Sequence, residues 1–161
     1  MGSPAVSQGG TVRSEGCVLA IDYGRRRLGL AVSDPLRVAA RPLATWTRSN
    51  RRHDLARLRS LCREQGISRI VVGWPLQLSG ARGDMASEAA SFADRIRKDL
   101  GIPVELVDER LSSWEAEQVL AHHHATKGRS PNPKRPKHRR LDEVAAAVIL
   151  RDYLHGAGKG A

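Results

Sequence analysis

Three carboxylates stand where a metal-dependent nuclease would need them. Asp22 lies inside the apolar segment VLAIDYG, Glu109 follows VELVD, and Asp142 opens the small-residue run LDEVAAAVIL. If the chain folds so that these segments meet, they form an anionic pocket in a chain of net charge +10. Converging carboxylates bind one or two divalent ions, and two ions about 4 Å apart can activate water, polarise a phosphate and stabilise the leaving oxygen. Oxygen-only ligands favour Mg2+ or Mn2+ over zinc. The chemistry expected is direct hydrolysis of a phosphodiester, with no covalent enzyme intermediate.

Each of these acids also has a plainer reading. Asp22 follows Leu19 and Ile21 in an apolar strand, so a metal, a basic partner or solvent in a cleft must compensate its charge. Gly24 either leaves room for a phosphate backbone or simply makes the hairpin turn. Asp108 and Glu109 are adjacent at a strand end and point to different faces, so only one of them joins Asp22. Asp142 precedes Ala145, Ala146 and Ile149 by three, four and seven residues, which puts it on the core-facing side of a helix; its other reading is a helix N-cap.

The elements that would carry these residues follow from hydrophobic period. Segment 17–22 and LGLAVSD read as two strands of an antiparallel hairpin, and RVAARPLATWT extends the meander, with Pro42 requiring an edge or a bend. Leu55, Leu58, Leu61 and Cys62 recur at helical spacing before Gly66. ISRIVVG is a buried-type strand, residues 84–100 form an amphipathic helix, VELVD is a strand, WEAEQVLAHHH a helix, and a final helix runs from about Leu141 to Leu154. This order describes an α/β protein whose mixed β-sheet has an antiparallel N-terminal meander and helices on both faces. The expected organisation is a flexible tail over 1–16, one domain over 17–154 containing a basic loop at 127–140, and a tail over 155–161.

Composition narrows the partners. Twenty-seven Lys and Arg against seventeen Asp and Glu, with a pI near 10.7, favour a polyanion. Arg48, Arg51, Arg52, Arg57, Arg59 and Arg63 surround the first helix, and Lys134, Arg135, Lys137, Arg139 and Arg140 belong to the Pro-containing basic stretch; both are read either as solvated surface or as contacts to a nucleic-acid backbone. Arg26 and Arg27 adjoin the Asp22 turn, and one of them could contact the scissile strand. Arg110 either grips phosphate or pairs with an acid. Trp74, in a Gly/Pro loop, is the best placed of Trp46, Trp74 and Trp114 to stack on a base, with ordinary packing as the alternative. Ser33 and Asp34 either support the site or cap the turn at Pro35, Ser112 and Ser113 read as helix caps, and His122, His123 and His124 cannot all point one way on a helix. Two isolated cysteines, no apolar run near the roughly 18 residues of a membrane span and a polar N-terminus fit a cytoplasmic protein without disulfides.

IDYGRRRLGLAVSDP, IVVGWPLQLSGARG, VELVDERLSSWEAE and LDEVAAAVILRDYL together resemble, in content and order, the bacterial Holliday junction resolvase-like family regarded as pre-16S ribosomal RNA nucleases. The resemblance spans about residues 17–154. It implies a ribonuclease H-like fold and a metal-dependent endonuclease that matures the 5′ end of 16S ribosomal RNA, free or within a ribosomal particle, with Asp22, Glu109 and Asp142 at the family's acidic positions. Where the family usually has Lys-Arg-Ile-Gly this chain has Arg26, Arg27, Leu28 and Gly29, and Trp74 and Gln77 stand where Leu and Asn are common. A DNA junction resolvase, which needs paired active sites, and a non-catalytic ribosome assembly factor are the alternatives; a monomer or weak homodimer is expected.

Overall fold

The computed structural model describes residues 16–74, 84–108 and 137–157. The elements run β1 (Cys17–Tyr23), β2 (Arg27–Ser33), β3 (Ala40–Thr47), α1 (Arg51–Gln65), β4 (Ile67–Trp74), α2 (Asp84–Leu100), β5 (Val104–Asp108) and α3 (Lys137–Ala157). The strands form one sheet in the order β3-β2-β1-β4-β5. β1, β2 and β3 pair antiparallel, whereas β4 pairs parallel to β1 and to β5. This is the mixed sheet with an N-terminal meander that the sequence predicts.

β1 is central because its run is apolar on both faces. Leu19 and Ile21 enter the larger core, with Leu30, Ile70, Leu58 of α1 and Ile96 of α2. Val18 and Ala20 enter a second core with Ala31, Val71, and Ala146, Ile149 and Leu150 of α3. Covering both faces of a strand in this way is what a continuous hydrophobic run requires. The helical spacing of α1 buries Leu55, Leu58, Leu61 and Cys62, as expected. Asn50 caps its start by accepting from the His53 N–H at 2.9 Å, and Gly66 ends it in the left-handed region at φ 63°, donating to the Cys62 carbonyl.

Pro42 lies in the edge strand β3, where its missing N–H breaks no central ladder. The register slips there: Leu30 faces Ala44 and Ala31 faces Pro42, leaving Leu43 as the extra residue of a bulge. β3 begins at Ala40, later than the apolar run alone suggests, because Asp34 folds the preceding residues into a turn by accepting from the Val38 and Ala39 N–H groups. Those backbone donors, that of Ala39 foremost, hold the Asp34 carboxyl below its ordinary range.

α3 begins four residues before the expected Leu141, so Lys137–Arg140 belong to the helix and not to a loop. Asp142 is consequently inside the helix and not its N-cap. The second core includes the small residues Ala20, Ala31 and Ala146, which lets α3 lie close to the sheet there. At Gly29 of β2 the approach is closest, since a Cβ there would overlap the backbone carbonyl of Asp142.

Two outcomes test this packing. Gly29→Ala forces helix and strand apart and should cost about 1–3 kcal/mol, seen as a fall in Tm of several degrees; an unchanged Tm would show that the helix sits elsewhere. Burial pushes the Cys62 thiol up to about 11, so at pH 8 a thiol reagent should leave Cys62 unmodified in the folded protein and label it only after unfolding, as read by mass spectrometry.

Candidate active site

One end of the sheet gathers the C-terminal ends of β1, β4 and β5, the start of β2 and the first turns of α1 and α2. Open α/β sheets bind ligands at such an end, where strands release their backbone into loops. Along β1 the side chains alternate, so Val18, Ala20 and Asp22 share the α3 face while Leu19, Ile21 and Tyr23 share the other. Asp22 is thus the last residue of β1 on the α3 face, and it is partly exposed where Val18 and Ala20 are fully buried.

Its neighbours in the sheet are both glycines. Asp22 pairs with Gly29 of β2 and with Gly73 of β4. Residues directly opposite in a sheet point the same way, so neither of its two register partners contributes a side chain on that face. α3 crosses above Gly29, and its Asp142 carboxylate accepts from Nε of Arg27 at 2.9 Å. Arg27 is two residues from Gly29 on β2 and therefore on the same face. The structure brings Asp22, Asp142 and Arg27 to one end and one face of the sheet, although Arg27 and Asp142 are 115 residues apart in sequence.

A buried ion pair fixes the turn that follows Asp22. Asp54, in the first turn of α1, is 3 % exposed. It accepts from Arg48 Nε at 3.2 Å and from the Ser49 N–H at 3.3 Å. Arg48 lies against the rings of Tyr23 and Phe92, 5.0 and 5.3 Å from their centroids. It also donates from Nη1 to the Gly24 carbonyl at 3.1 Å, and its backbone N–H donates to the Arg26 carbonyl at 2.8 Å. One guanidinium thus joins β1, the Gly24–Arg26 turn, α1 and α2. Beside it, Arg25 donates to both oxygens of Glu88 on α2. That hydrogen bond holds the Glu88 carboxyl below its usual range.

The remaining sequence candidates divide by position. Arg26 is exposed in the turn. Trp74 ends β4, its backbone paired with Asp108. Lys137, Arg139 and Arg140 occupy the start of α3. Glu109, Arg110, Lys134 and Arg135 lie outside the described residues, as do Trp114, Ser112, Ser113 and His122–His124. Ser33 and Asp34 are at the opposite end of the sheet from Asp22: Ser33 accepts from the Val18 N–H and donates to the Asp34 carbonyl, and Asp34 caps its turn. Trp46 packs on the larger core with Arg57 over its ring at 4.1 Å.

Among the described residues no group of three or more His, Cys, Asp or Glu could hold a metal. Asp22 and Asp142 are two of the three expected acids, and Glu109 follows directly on Asp108, the last residue of β5. A hard divalent cation suits these two donors, since both are carboxylates. The sequence does not single out Gly73, Asp54 or Glu88, names Gly29 only within a motif, and offers Arg48 as solvated surface or a nucleic-acid contact, where the structure makes it the partner of Asp54. Glycines inside strands do carry a signal, because they mark close backbone approach. The pairing of Arg48 with Asp54 carries none, since both are ordinary surface residue types.

Comparison with known proteins gives three kinds of match. The family model described as "RuvX: Holliday junction resolvase" matches residues 16–156. A Koribacter versatilis protein named as a candidate pre-16S rRNA nuclease is 41% identical over 143 residues, 89% of each chain. One from Anaeromyxobacter dehalogenans (strain 2CP-1), with the same name, is 43% identical over 136 residues, 84% of this chain and 94% of its own. Among solved structures, T. thermophilus RuvC in complex with Holliday junction substrate superimposes with a TM-score of 0.56 at 20% identity, covering 90% of this chain and 96% of that one. A second Thermus thermophilus RuvC structure gives 0.53 at 18% identity. At that identity the likeness establishes the fold, which is ribonuclease H-like.

The buried pair should be costly to break. Asp54→Ala leaves the half-buried Arg48 without its carboxylate and is expected to destabilise the protein by about 3 kcal/mol in urea unfolding. A loss below about 1 kcal/mol would show that the pair is solvated.

Proposed function

The chain belongs to the RuvX family, and from that premise we propose that it is a divalent-metal-dependent endonuclease that hydrolyses phosphodiester bonds in precursor 16S ribosomal RNA. The observation that carries the reading is the convergence of Asp22 and Asp142 on one face at one end of the sheet, with Arg27 between strand and helix. We assign Glu109 as the third acid.

Asp22, Glu109 and Asp142 would hold Mg2+ or Mn2+, and a bound ion of this kind supplies a polarised phosphate and an activated water. The chain's own part is positional. Gly29 lets α3 bring Asp142 down beside β1, and Gly73 on the other flank of Asp22 adds no side chain there. Arg27 fixes the direction of the Asp142 carboxylate, and its charge offsets the repulsion between two acids brought to one place. α3 carries Lys137, Arg139 and Arg140 within about one and a half turns before Asp142, and we assign them to the backbone of the same strand. We place Arg26, Trp74, Arg110, Lys134 and Arg135 in the same contact surface, and the protein in the cytoplasm with the ribosomal precursor.

RNA is preferred over DNA because the relatives at 38–43% identity carry the pre-16S rRNA nuclease name. The family description keeps a Holliday junction resolvase as the second reading. A resolvase must pair two active sites to cut symmetrically, so it would be a stable two-fold dimer.

The test compares Mg2+- or Mn2+-dependent cleavage of a 16S precursor 5′ segment with that of a four-way DNA junction. RNA cleavage that falls by roughly 100-fold or more in Asp22→Asn, Glu109→Gln and Asp142→Asn, and that stops in EDTA, is expected, because each change removes several kcal/mol of charge stabilisation. Junction cleavage without RNA cleavage would replace this reading with the resolvase. Full activity in EDTA would end the metal mechanism.

A further inference from the structure

On the far side of the sheet from Asp22, the face that carries Tyr23 opens into two adjoining clefts of about 300 and 440 Å³. Tyr23, Arg48, Arg51 and Glu88 line both; Arg95 belongs to the first, Arg25 and Arg26 to the second. Five arginines thus face two carboxylates, and one of those, Asp54, is already consumed inside the protein by Arg48. Arg51 and Arg95 are exposed, and neither has an ion-pair partner among the described residues. Guanidinium groups crowded without counter-charge repel one another, so such a cleft attracts an anion.

What the anion would be is indicated by the group now in its place. Glu88 receives Arg25 Nε at 3.1 and 3.0 Å and Nη2 at 2.9 Å, the forked geometry that arginine presents equally to carboxylate and phosphate. Both partners are substantially exposed, and exposed pairs are weak enough to be exchanged. The aromatic rings nearby are covered by Arg48. The cleft therefore offers charge and forked donors but no stacking platform, which suits a sugar-phosphate backbone and not its bases. It begins at Tyr23, the residue after Asp22, so a strand leaving the acidic site can turn over the Gly24–Arg26 hairpin into it.

We propose that this arginine cleft binds the phosphodiester backbone of single-stranded RNA next to the scissile segment, and that Glu88 is an internal placeholder which a phosphate displaces from Arg25. The inference rests on the nuclease reading for the identity of the strand. It adds a second binding path, made by the turn, α1 and α2, to the one assigned to the start of α3.

Binding of a fluorescent single-stranded 16S precursor 5′ segment to the full chain, in EDTA and across a salt series, tests it. Glu88→Gln should tighten binding roughly two- to five-fold by removing the competing carboxylate. Asp99→Asn frees Arg59 from an equally exposed pair at the other end of α2 and should not reproduce that gain. Arg51→Ala and Arg95→Ala should weaken binding and each flatten the slope of log K against log salt by roughly 0.7. Equal gains in Glu88→Gln and Asp99→Asn, or unchanged slopes in the arginine variants, would overturn the cleft. Wild-type cleavage in Mg2+ separates the two readings. RNA cleavage with unaltered arginine variants removes the cleft alone, whereas the Glu88 gain without any cleavage removes the nuclease alone.

Discussion

No side chain fits between β2 and α3 at Gly29, and the geometry of the acidic site follows from that closeness. A helix can descend onto a sheet this far only if the facing residues are small, and here they are Ala20, Ala31 and Ala146 with the glycine. The helix then delivers Asp142 to the level of the strands. There its carboxylate reaches Arg27, and the acid of the helix comes to stand near the acid of β1. A larger residue at Gly29 would lift the helix and carry Asp142 away with it.

The two faces of β1 divide the work. On the α3 face, Asp22 ends a row of buried small residues and is flanked by glycines. On the other face, Tyr23 packs with Phe92 and supports Arg48, whose hydrogen bonds to Gly24 and Asp54 tie the turn to α1. The side chains that follow one another at positions 22 and 23 are thus held from opposite sides of the sheet. This gives the acid a rigid base, since the strand end is gripped by a buried ion pair and not left to fray. It also explains why a cationic cleft opens immediately behind an anionic site: the residues that fasten the turn are themselves arginines.

Electrostatics reconciles the acidic site with the basic chain. A net charge of +10 draws polyanions in general, but it selects no reaction. Selection needs carboxylates gathered in one place, and gathering them costs repulsion unless cations are interleaved. Arg27 serves Asp142 in this way, as Arg25 serves Glu88 and Arg48 serves Asp54. Two of these pairings occur at partly exposed positions, where they are weak, and one is buried, where it is structural.

Much of this protein was legible in its sequence. The apolar periods of β1, α1, β4, α2 and β5 placed those elements close to where they stand, because strand and helix depend on residues only a few positions apart. Asp22 announced itself as a charge in a strand too apolar to bury one, and Pro42 announced the edge. What the tertiary structure alone decided were the meetings of distant residues. Arg27 with Asp142, Arg25 with Glu88, and Gly29 under the backbone of α3 depend on strand order and on the height of a helix above the sheet. No local pattern encodes either, since both are settled by how the volumes of two cores fill.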